Sequence, residues 1–157
     1  MRFSGAVILL LIFLTACDSR RVYEYDQEYK DRSWRAADTA AFEFTIKDVS
    51  KKYNLLYNVR NTLEFPYSRL FVRYDLKDSA GSVLQQQLVS SFLFDQKTGK
   101  PFGTSGLGDV YDHQFPLLNL YEFKRPGKYR VRLQQFMRTD TLKGILAAGL
   151  RVEEAEK

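Results

Sequence analysis

The chain has 157 residues, of which 45% are hydrophobic and 27% charged, and its formal net charge at pH 7 is +5. This length and balance predict one ordinary globular domain and exclude a disordered or collagen-like chain. A single histidine and a single cysteine exclude most kinds of metal site and any disulfide within the chain.

The first seventeen residues have the three-part layout of a secretory signal. Arg2 precedes an uninterrupted apolar run over residues 6–14, and small residues follow it. The run is too short to span a bilayer as a mature helix. The end of the segment, Leu14-Thr15-Ala16-Cys17, resembles the lipobox of bacterial lipoproteins, in which the cysteine thiol receives a diacylglyceryl group and the peptide is cut before it.

This resemblance implies a division of the chain into three parts. We expect residues 1–16 to be removed, residues 17–21 to form the lipidated Cys17 and a short tether, and residues 22–157 to form the folded domain. Because an exported chain does not meet nucleic acid, its basic charge is expected to face anionic headgroups or acidic proteins. The sequence indicates no cofactor and leaves the oligomeric state open.

From residue 22 onward, apolar and polar side chains alternate with a period of two, which is typical of half-buried β-strands. Strands are predicted at 22–26 (a minor edge strand), 42–47, 53–62, 70–77, 83–94, 115–123, 129–134 and 145–153. An irregular piece is expected after Pro116, and Gly149 predicts a bulge or a close approach of another chain segment. With no convincing helix period, the chain is predicted to be all-β: an antiparallel β-sandwich, immunoglobulin-like or jelly-roll.

The stretch 95–109 contains four of the nine glycines and no apolar period, so it predicts an exposed loop. Its part 103–109 is superficially similar to a phosphate-binding loop but lacks the lysine and the helix that such a loop requires. Close by, His113 with Asp109 and Asp112 is the one cluster with acid–base or metal potential. A lone histidine beside loop acids favours a solvated turn over a metal site, which normally needs three protein ligands.

No Gly-x-Ser-x-Gly nucleophile motif is present, so the residues disfavour an enzyme. A pair of carboxylates that cleaves glycosides stays open, since any two of the acidic residues could meet in space.

A basic stretch and a group of aromatic residues are the remaining candidates for binding. Lys128, Arg130 and Arg132 alternate outward on one predicted strand, where they form either a solvated face that discourages edge pairing or a contact face for an acidic partner. Four aromatic residues precede the strands that alternate from residue 42 onward and are expected either to pack the N-terminal segment onto the sandwich or to stack on sugar rings: Tyr23, Tyr25, Tyr29 and Trp34.

Several short motifs occur in a fixed order along the whole chain after the lipobox. They are Trp34 with Asp38 and Phe42, Tyr53-Asn54-Leu55, Val59-Arg60-Asn61, Phe65-Pro66-Tyr67-Ser68, Gly106-Leu107-Gly108-Asp109, Pro126-Gly127-Lys128-Tyr129, Met137-Arg138, Leu142-Lys143-Gly144-Ile145 and Gly149-Leu150-Arg151-Val152. This order resembles the gliding-motility lipoprotein H family (GldH-like proteins) of Bacteroidetes-type bacteria. The resemblance implies a lipid-anchored envelope protein, in the outer membrane, that acts with other motility lipoproteins and the associated secretion machinery. It implies no catalytic residues.

Taken together, these observations predict a non-enzymatic envelope lipoprotein that serves as a structural or interaction component of gliding motility. The alternative is a surface glycan-binding lipoprotein, which the aromatic content and the predicted sandwich support. An exposed row of aromatic side chains on one sheet face would favour the alternative, whereas an apolar or basic patch without a pocket would favour the assembly role.

Overall fold

A computed structural model describes residues 18–156, so the predicted signal segment 1–16 and Cys17 lie outside the described residues. The regular elements within these residues are all β-strands. They are β1 (Arg21–Glu28), β2 (Ser33–Arg35), β3 (Ala40–Ile46), β4 (Tyr53–Thr62), β5 (Arg69–Asp78), β6 (Val83–Phe92), β7 (Thr104–Ser105), β8 (Val110–Tyr121), β9 (Gly127–Gln135), β10 (Thr141–Lys143) and β11 (Ile145–Glu154). Among these residues no helix has the length and apolar character needed to cross a membrane.

The strands form two larger sheets and one small one, and every pairing is antiparallel. One sheet has five strands in the order β1-β11-β4-β8-β7, and the other has four in the order β3-β9-β5-β6. The apolar faces of the two large sheets enclose a single core. The predicted antiparallel β-sandwich is therefore confirmed.

The alternation seen in the sequence is the reason these segments are strands with one buried face. In β3, for example, Phe42, Phe44 and Ile46 are buried while the residues between them are exposed. Burying side chains of this size stabilises the fold by about 2 kcal/mol each, which sets the face that each strand turns to the core. The predicted edge strand is confirmed as well, since β1 lies at one edge of the five-stranded sheet.

A two-stranded sheet of β2 and β10 was not predicted. Its three-residue strands are too short to show a period, yet they carry Trp34 and Leu142 into the core, where both side chains are fully buried. The Trp34 indole Nε1 donates a hydrogen bond of 2.8 Å to the backbone oxygen of Asp38. This bond satisfies the one polar atom of the side chain inside the core.

Both predicted irregularities are present. The register of β8 against β4 shifts between Pro116 and Leu118, and Leu120 has a φ of +53°. In β11 the chain approaches closely at Gly149, where a Cβ atom would lie 2.8 Å from the backbone oxygen of Tyr25 and closer still to the Asp26 carboxylate. The register shift of β11 lies a few residues earlier, between Ile145 and Ala147, so Gly149 marks the close approach rather than a bulge.

The strand register gives the sandwich two distinct ends. Residues 18–21 lie beside the last residues of β11 and the start of β4, and we call this the tether end. The last residue of β3 and the last residue of β5 lie at the same end, because Tyr23 packs on Phe44 with ring centroids 6.0 Å apart. The opposite end, where β5 begins and β6 ends, is the distal end. Strand β5 runs from the distal end to the tether end, and its ten residues span about 30 Å.

Candidate interaction surfaces

The basic strand is β9, and its three cations point outward as expected. Two of them share one acid on the neighbouring strand β3. Lys128 Nζ lies 3.0 Å from Glu43 Oε1, and Arg130 Nη2 lies 3.3 Å from Glu43 Oε2. The hydrogen bonds from Lys128 and Arg130 hold the pKa of the Glu43 carboxyl below its usual value. Much of the positive charge of this face is therefore neutralised within the sheet.

Arg132 makes a stronger pair with Asp75 of β5. Its Nε lies 2.8 Å from both carboxylate oxygens of Asp75, and its Nη2 lies 2.5 Å from Oδ2. The Asp75 side chain is only 6% exposed, whereas that of Arg132 is 45% exposed. The hydrogen bonds to Asp75 raise the pKa of the guanidinium. Arg132 therefore has a structural role, because it covers and neutralises a buried carboxylate.

On the same outer face, at the distal end, lies an apolar patch that the sequence analysis missed. It is a groove of about 700 Å³, and we call it the distal patch; its lining residues are Tyr67, Phe71, Leu88, Phe136, Met137 and Arg138. Leu88 and Phe136 are each nearly half exposed. The sequence does carry a signal for the distal patch: an apolar residue at a strand position that the alternation assigns to the solvent face. Phe71, between the buried Leu70 and Val72, is such a residue.

Arginine side chains surround the distal patch. The Arg69 guanidinium lies 4.1 Å from the ring centroid of Phe92, and that of Arg73 lies 4.4 Å from the ring centroid of Phe136. The Arg69 Nε is buried and has no hydrogen-bond acceptor within the described residues. Both guanidinium groups therefore lie within cation–π distance of an aromatic ring.

His113 does not lie in a solvated turn, and that expectation is wrong. It is a buried residue of β8, and its ring is stacked on Phe115 with the centroids 5.5 Å apart. Burial lowers the pKa of the imidazole, against the opposing effect of Asp112. Asp112 itself pairs with Arg60 at 2.7 Å on the other face of the sheet. The neighbouring acid and the histidine therefore point to opposite sides of β8 and do not form a site.

The glycine-rich stretch is largely exposed, as predicted, but part of it is ordered as a hairpin. Thr104 and Ser105 form β7, which pairs with the start of β8. The turn is closed by a backbone hydrogen bond of 2.8 Å from Gly106 to Val110. Leu107 at its tip is 95% exposed. This is strand-and-turn geometry and differs from a phosphate-binding loop, which opens a helix.

The four aromatic residues of the N-terminal segment mostly pack into the protein. Trp34 and Tyr29 are buried and stack with ring centroids 5.7 Å apart, and Tyr23 is half-buried against Phe44. Tyr25 alone among them is exposed. This group therefore packs the N-terminal segment onto the sandwich and does not form a row for stacking sugar rings.

The segment next to the predicted lipidation site is fastened to the domain by a cluster of charges. Arg151 of β11, whose side chain is 13% exposed, forms ion pairs with Asp18, with Glu24 at 2.9 Å and with Glu153 at 2.9 Å. Burial disfavours the charged guanidinium, but the hydrogen bonds to Asp18 and Glu153 outweigh it and raise the pKa of Arg151. The tether end therefore begins at residue 18, directly after Cys17.

Across residues 18–156, His, Asp and Glu side chains form no group of three or more that could hold a metal ion.

Comparison with known proteins places the chain in a family. The family model described as GldH lipoprotein matches residues 21–152, which is nearly the whole sandwich. A gliding motility lipoprotein GldH homolog of Christiangramia forsetii is 31% identical over 95% of this chain and 93% of its own length. The gliding motility lipoprotein GldH of Flavobacterium johnsoniae is 28% identical over 98% of this chain and 97% of its own length.

Solved structures are much more distant. Infectious bursal disease virus VP2, in a subviral particle, matches 87% of this chain with a TM-score of 0.44 and 17% sequence identity, and the chain spans about a third of that protein's length. So loose a match carries no argument. The match of the family model and the two full-length relatives agree with the order of motifs along the chain, and the chain therefore belongs to the GldH lipoprotein family.

Proposed function

We propose that this protein is a lipid-anchored, non-enzymatic envelope protein that acts as a structural or interaction component of gliding motility and its associated secretion machinery. The observation that carries the proposal is the match over nearly the full length of two relatives whose names are gliding motility lipoproteins. Full-length similarity favours a shared role of the whole domain over a shared local motif.

The proposed anchor is the lipid on Cys17, in the outer membrane. The contact of Asp18 with Arg151 supports a short connection, because the first described residue is already fastened to the sandwich. A domain with so short a tether stays close to the bilayer surface and turns its distal end toward the surroundings. Two or more acyl chains on the processed cysteine would make this attachment stable.

The non-enzymatic part of the proposal is supported by the state of the titratable groups. His113 is buried beneath the surface, with Nε2 lacking a hydrogen-bond partner within the described residues. Its neighbour Asp112 is engaged by Arg60. A general base needs to reach a substrate proton, and this imidazole has no such exposure.

The face formed by Lys128, Arg130 and Arg132 is proposed as one contact surface for an acidic partner. Its internal pairing with Glu43 and Asp75 leaves a small net positive charge, so its contribution to binding is expected to be modest.

The proposal is tested in a host that glides, by deleting the gene and measuring spreading. We expect deletion to abolish spreading and the wild-type gene to restore it. The anchor is tested separately. Cys17→Ala is expected to leave an unprocessed precursor, and replacing residues 1–17 by a cleavable secretory signal is expected to release a soluble protein.

Two outcomes would contradict the proposal. Normal spreading of the deletion strain would contradict a role of this protein in gliding motility. Recovery of the cleavable-signal protein in the membrane pellet after a high-salt wash would remove the lipid anchor as the cause of membrane attachment.

A further inference from the structure

Strand β6 is a sheet edge that lacks the usual protection against pairing with another chain. Over its ten residues it has no charged side chain and no proline, and each residue is exposed or half-exposed. Its register with β5 is regular from Phe92 back to Gln85. Natural edge strands are normally short, charged, bulged or covered, because free backbone N–H and C=O groups are a template for a further strand.

The other edges of the two large sheets within residues 18–156 are protected. Strand β1 carries four charged side chains, and β7 has only two residues. Strand β3 carries Glu43 and has β1 packed along it. The lack of protection is thus a particular property of β6 and not a general feature of this sandwich.

Grooves lie on both sides of β6. On the outer side is the distal patch of about 700 Å³. On the inner side a second groove, of about 690 Å³, lies between β6 and the opposite sheet, and Phe102, Phe115 and Pro116 line its far wall. Leu88 borders both grooves. Successive side chains of a strand point to opposite faces, so a strand added at this edge would place alternate side chains into the two grooves.

The charge around the edge selects the chemistry of such a strand. Arg69, Arg73 and Arg138 take part in no ion pair within the described residues. Within residues 18–156, no acidic side chain lines the distal patch. An extended segment with acidic side chains toward the arginines and apolar side chains toward the inner groove would match both features.

We propose that β6 binds an extended acidic segment of a partner protein, which adds to the four-stranded sheet as a further antiparallel or parallel strand. Main-chain hydrogen bonds to β6 supply the affinity, and the two grooves with their arginines supply the specificity. The proposal rests on the proposed function in one respect: anchoring at Cys17 turns β6's distal half away from the bilayer and toward other envelope proteins.

A second copy of this chain fits the edge less well. Two copies paired through β6 would form one continuous sheet and bring both sets of unpaired arginines onto the same face. The two copies would add their positive charge on one face, and nothing on the β6 side chains would compensate it, since the strand is uncharged.

Synthetic peptides test the proposal on the full-length lipoprotein purified from membranes in detergent. The probe is an eight-residue peptide in which Glu alternates with Val. One control peptide has Lys in place of each Glu, and another keeps the glutamates but has Pro at its two central Val positions, which prevents strand pairing. Binding is followed by fluorescence polarisation, and amide hydrogen exchange locates the protected strand.

We expect the Glu/Val peptide to bind, to slow hydrogen exchange in β6, and to bind at least tenfold more tightly than either control peptide. Arg73→Gln combined with Arg138→Gln is expected to weaken binding at least tenfold, and so is Leu88→Glu. Arg60→Gln and Val22→Glu are matched controls, at an arginine paired with Asp112 on the five-stranded sheet and on edge β1, and neither is expected to change the affinity.

Several results would overturn the proposal. If the proline peptide binds as tightly as the Glu/Val peptide, binding is due to charge attraction and not to strand addition. If the Glu/Val peptide does not bind, β6 does not bind acidic strands. Protection of β6 that grows with protein concentration without peptide would identify a second copy as the occupant. Protection that appears only with anionic phospholipid vesicles would identify the bilayer.

The gliding host separates this inference from the proposed function. If deletion abolishes spreading and the Leu88→Glu gene restores it fully, the role in motility stands and the β6 inference fails. If deletion leaves spreading unchanged, the role in motility fails whatever the peptides show.

Discussion

Replacing Arg132 by methionine should destabilise the protein much more than the same change at Arg130, although both side chains are exposed on β9. Methionine keeps an apolar stem over the sheet and removes the hydrogen-bond donors. At position 132 the change leaves the carboxylate of Asp75 without its hydrogen-bond donors, and that side chain is only 6% exposed. Leaving a buried charged acceptor without its partner costs several kcal/mol in a dry interior, and the partial exposure of Arg132 reduces this to about 2 kcal/mol. For a domain of this size that is about 5 °C in Tm.

At position 130 the partner is Glu43, which is well exposed and keeps Lys128 at 3.0 Å, so Tm should be nearly unchanged. Thermal and urea unfolding of both variants give the comparison. Adding Asp75→Asn to Arg132→Met should recover part of the lost stability, because the neutral amide puts no unpaired charge in the buried position. Equal losses for Arg130→Met and Arg132→Met would refute the reasoning, since burial of Asp75 would then have no effect. The result also decides how the basic face can be tested: charge reversal at Lys128 and Arg130 measures binding, whereas reversal at Arg132 also measures folding.

Three further predictions concern the fold. Gly144→Ala should lower the free energy of unfolding in urea by about 4 kcal/mol, because its Cβ would lie 2.3 Å from the Phe65 backbone nitrogen at a φ of +77°. Gly81→Ala is the control: its φ is +84°, but the Cβ would lie in open space, so the loss should be only about 1 kcal/mol. Similar losses of stability in the two variants would contradict the clash at Gly144. Burial lowers the pKa of His113 in the folded protein, despite the opposing effect of Asp112. At a pH between the pKa of the folded state and that of the unfolded state, the unfolded chain therefore binds more protons. The free energy of unfolding should then fall as the pH falls below the ordinary histidine pKa of 6.5. His113→Asn should remove that part of the pH dependence in unfolding curves, and an unchanged slope between about pH 6.5 and 5.5 would assign it to other groups. Trp34, the one tryptophan, is 0% exposed, so acrylamide should quench its fluorescence strongly only after unfolding, and strong quenching of the native protein would contradict the packing of β2 and β10.

The strands were predictable where one face is buried and the other wet, because the side-chain period then shows in the sequence. Phe42 to Ile46 and Leu70 to Tyr74 are such segments, and their burial follows the alternation, which ends at Asp75 because Arg132 covers that carboxylate. Strands β2 and β10 have three residues each and give no period, so Trp34 looked like an unassigned aromatic residue. His113 was misplaced for a related reason: the two acids nearby suggested a turn, but Asp112 and His113 alternate across a strand.

The surfaces were less predictable than the strands because they depend on which strands are neighbours. Lys128 and Arg130 read as a basic face when β9 is considered by itself. The sheet sets Glu43 of β3 on one side of β9 and Asp75 of β5 on the other, and these pairings join residues that lie 57 to 87 positions apart. No local pattern reports such a register. The distal patch has the same origin, since Phe71, Leu88 and Phe136 come from three separate parts of the chain.

The outer face of the four-stranded sheet thus divides into a half whose charges are largely compensated and a half with uncompensated positive charge. On β3 and β9 each cation has an acid within the sheet, so the field of this half is weak beyond contact distance. On β5 and β6 the guanidinium groups of Arg69 and Arg73 lie on aromatic rings and keep their charge uncompensated within the described residues. At physiological ionic strength charges act over about 8 Å, which is enough to bias an acidic segment toward the second half before contact. The same half carries the unprotected edge, so the force that attracts an acidic strand and the backbone that can pair with it coincide in β6.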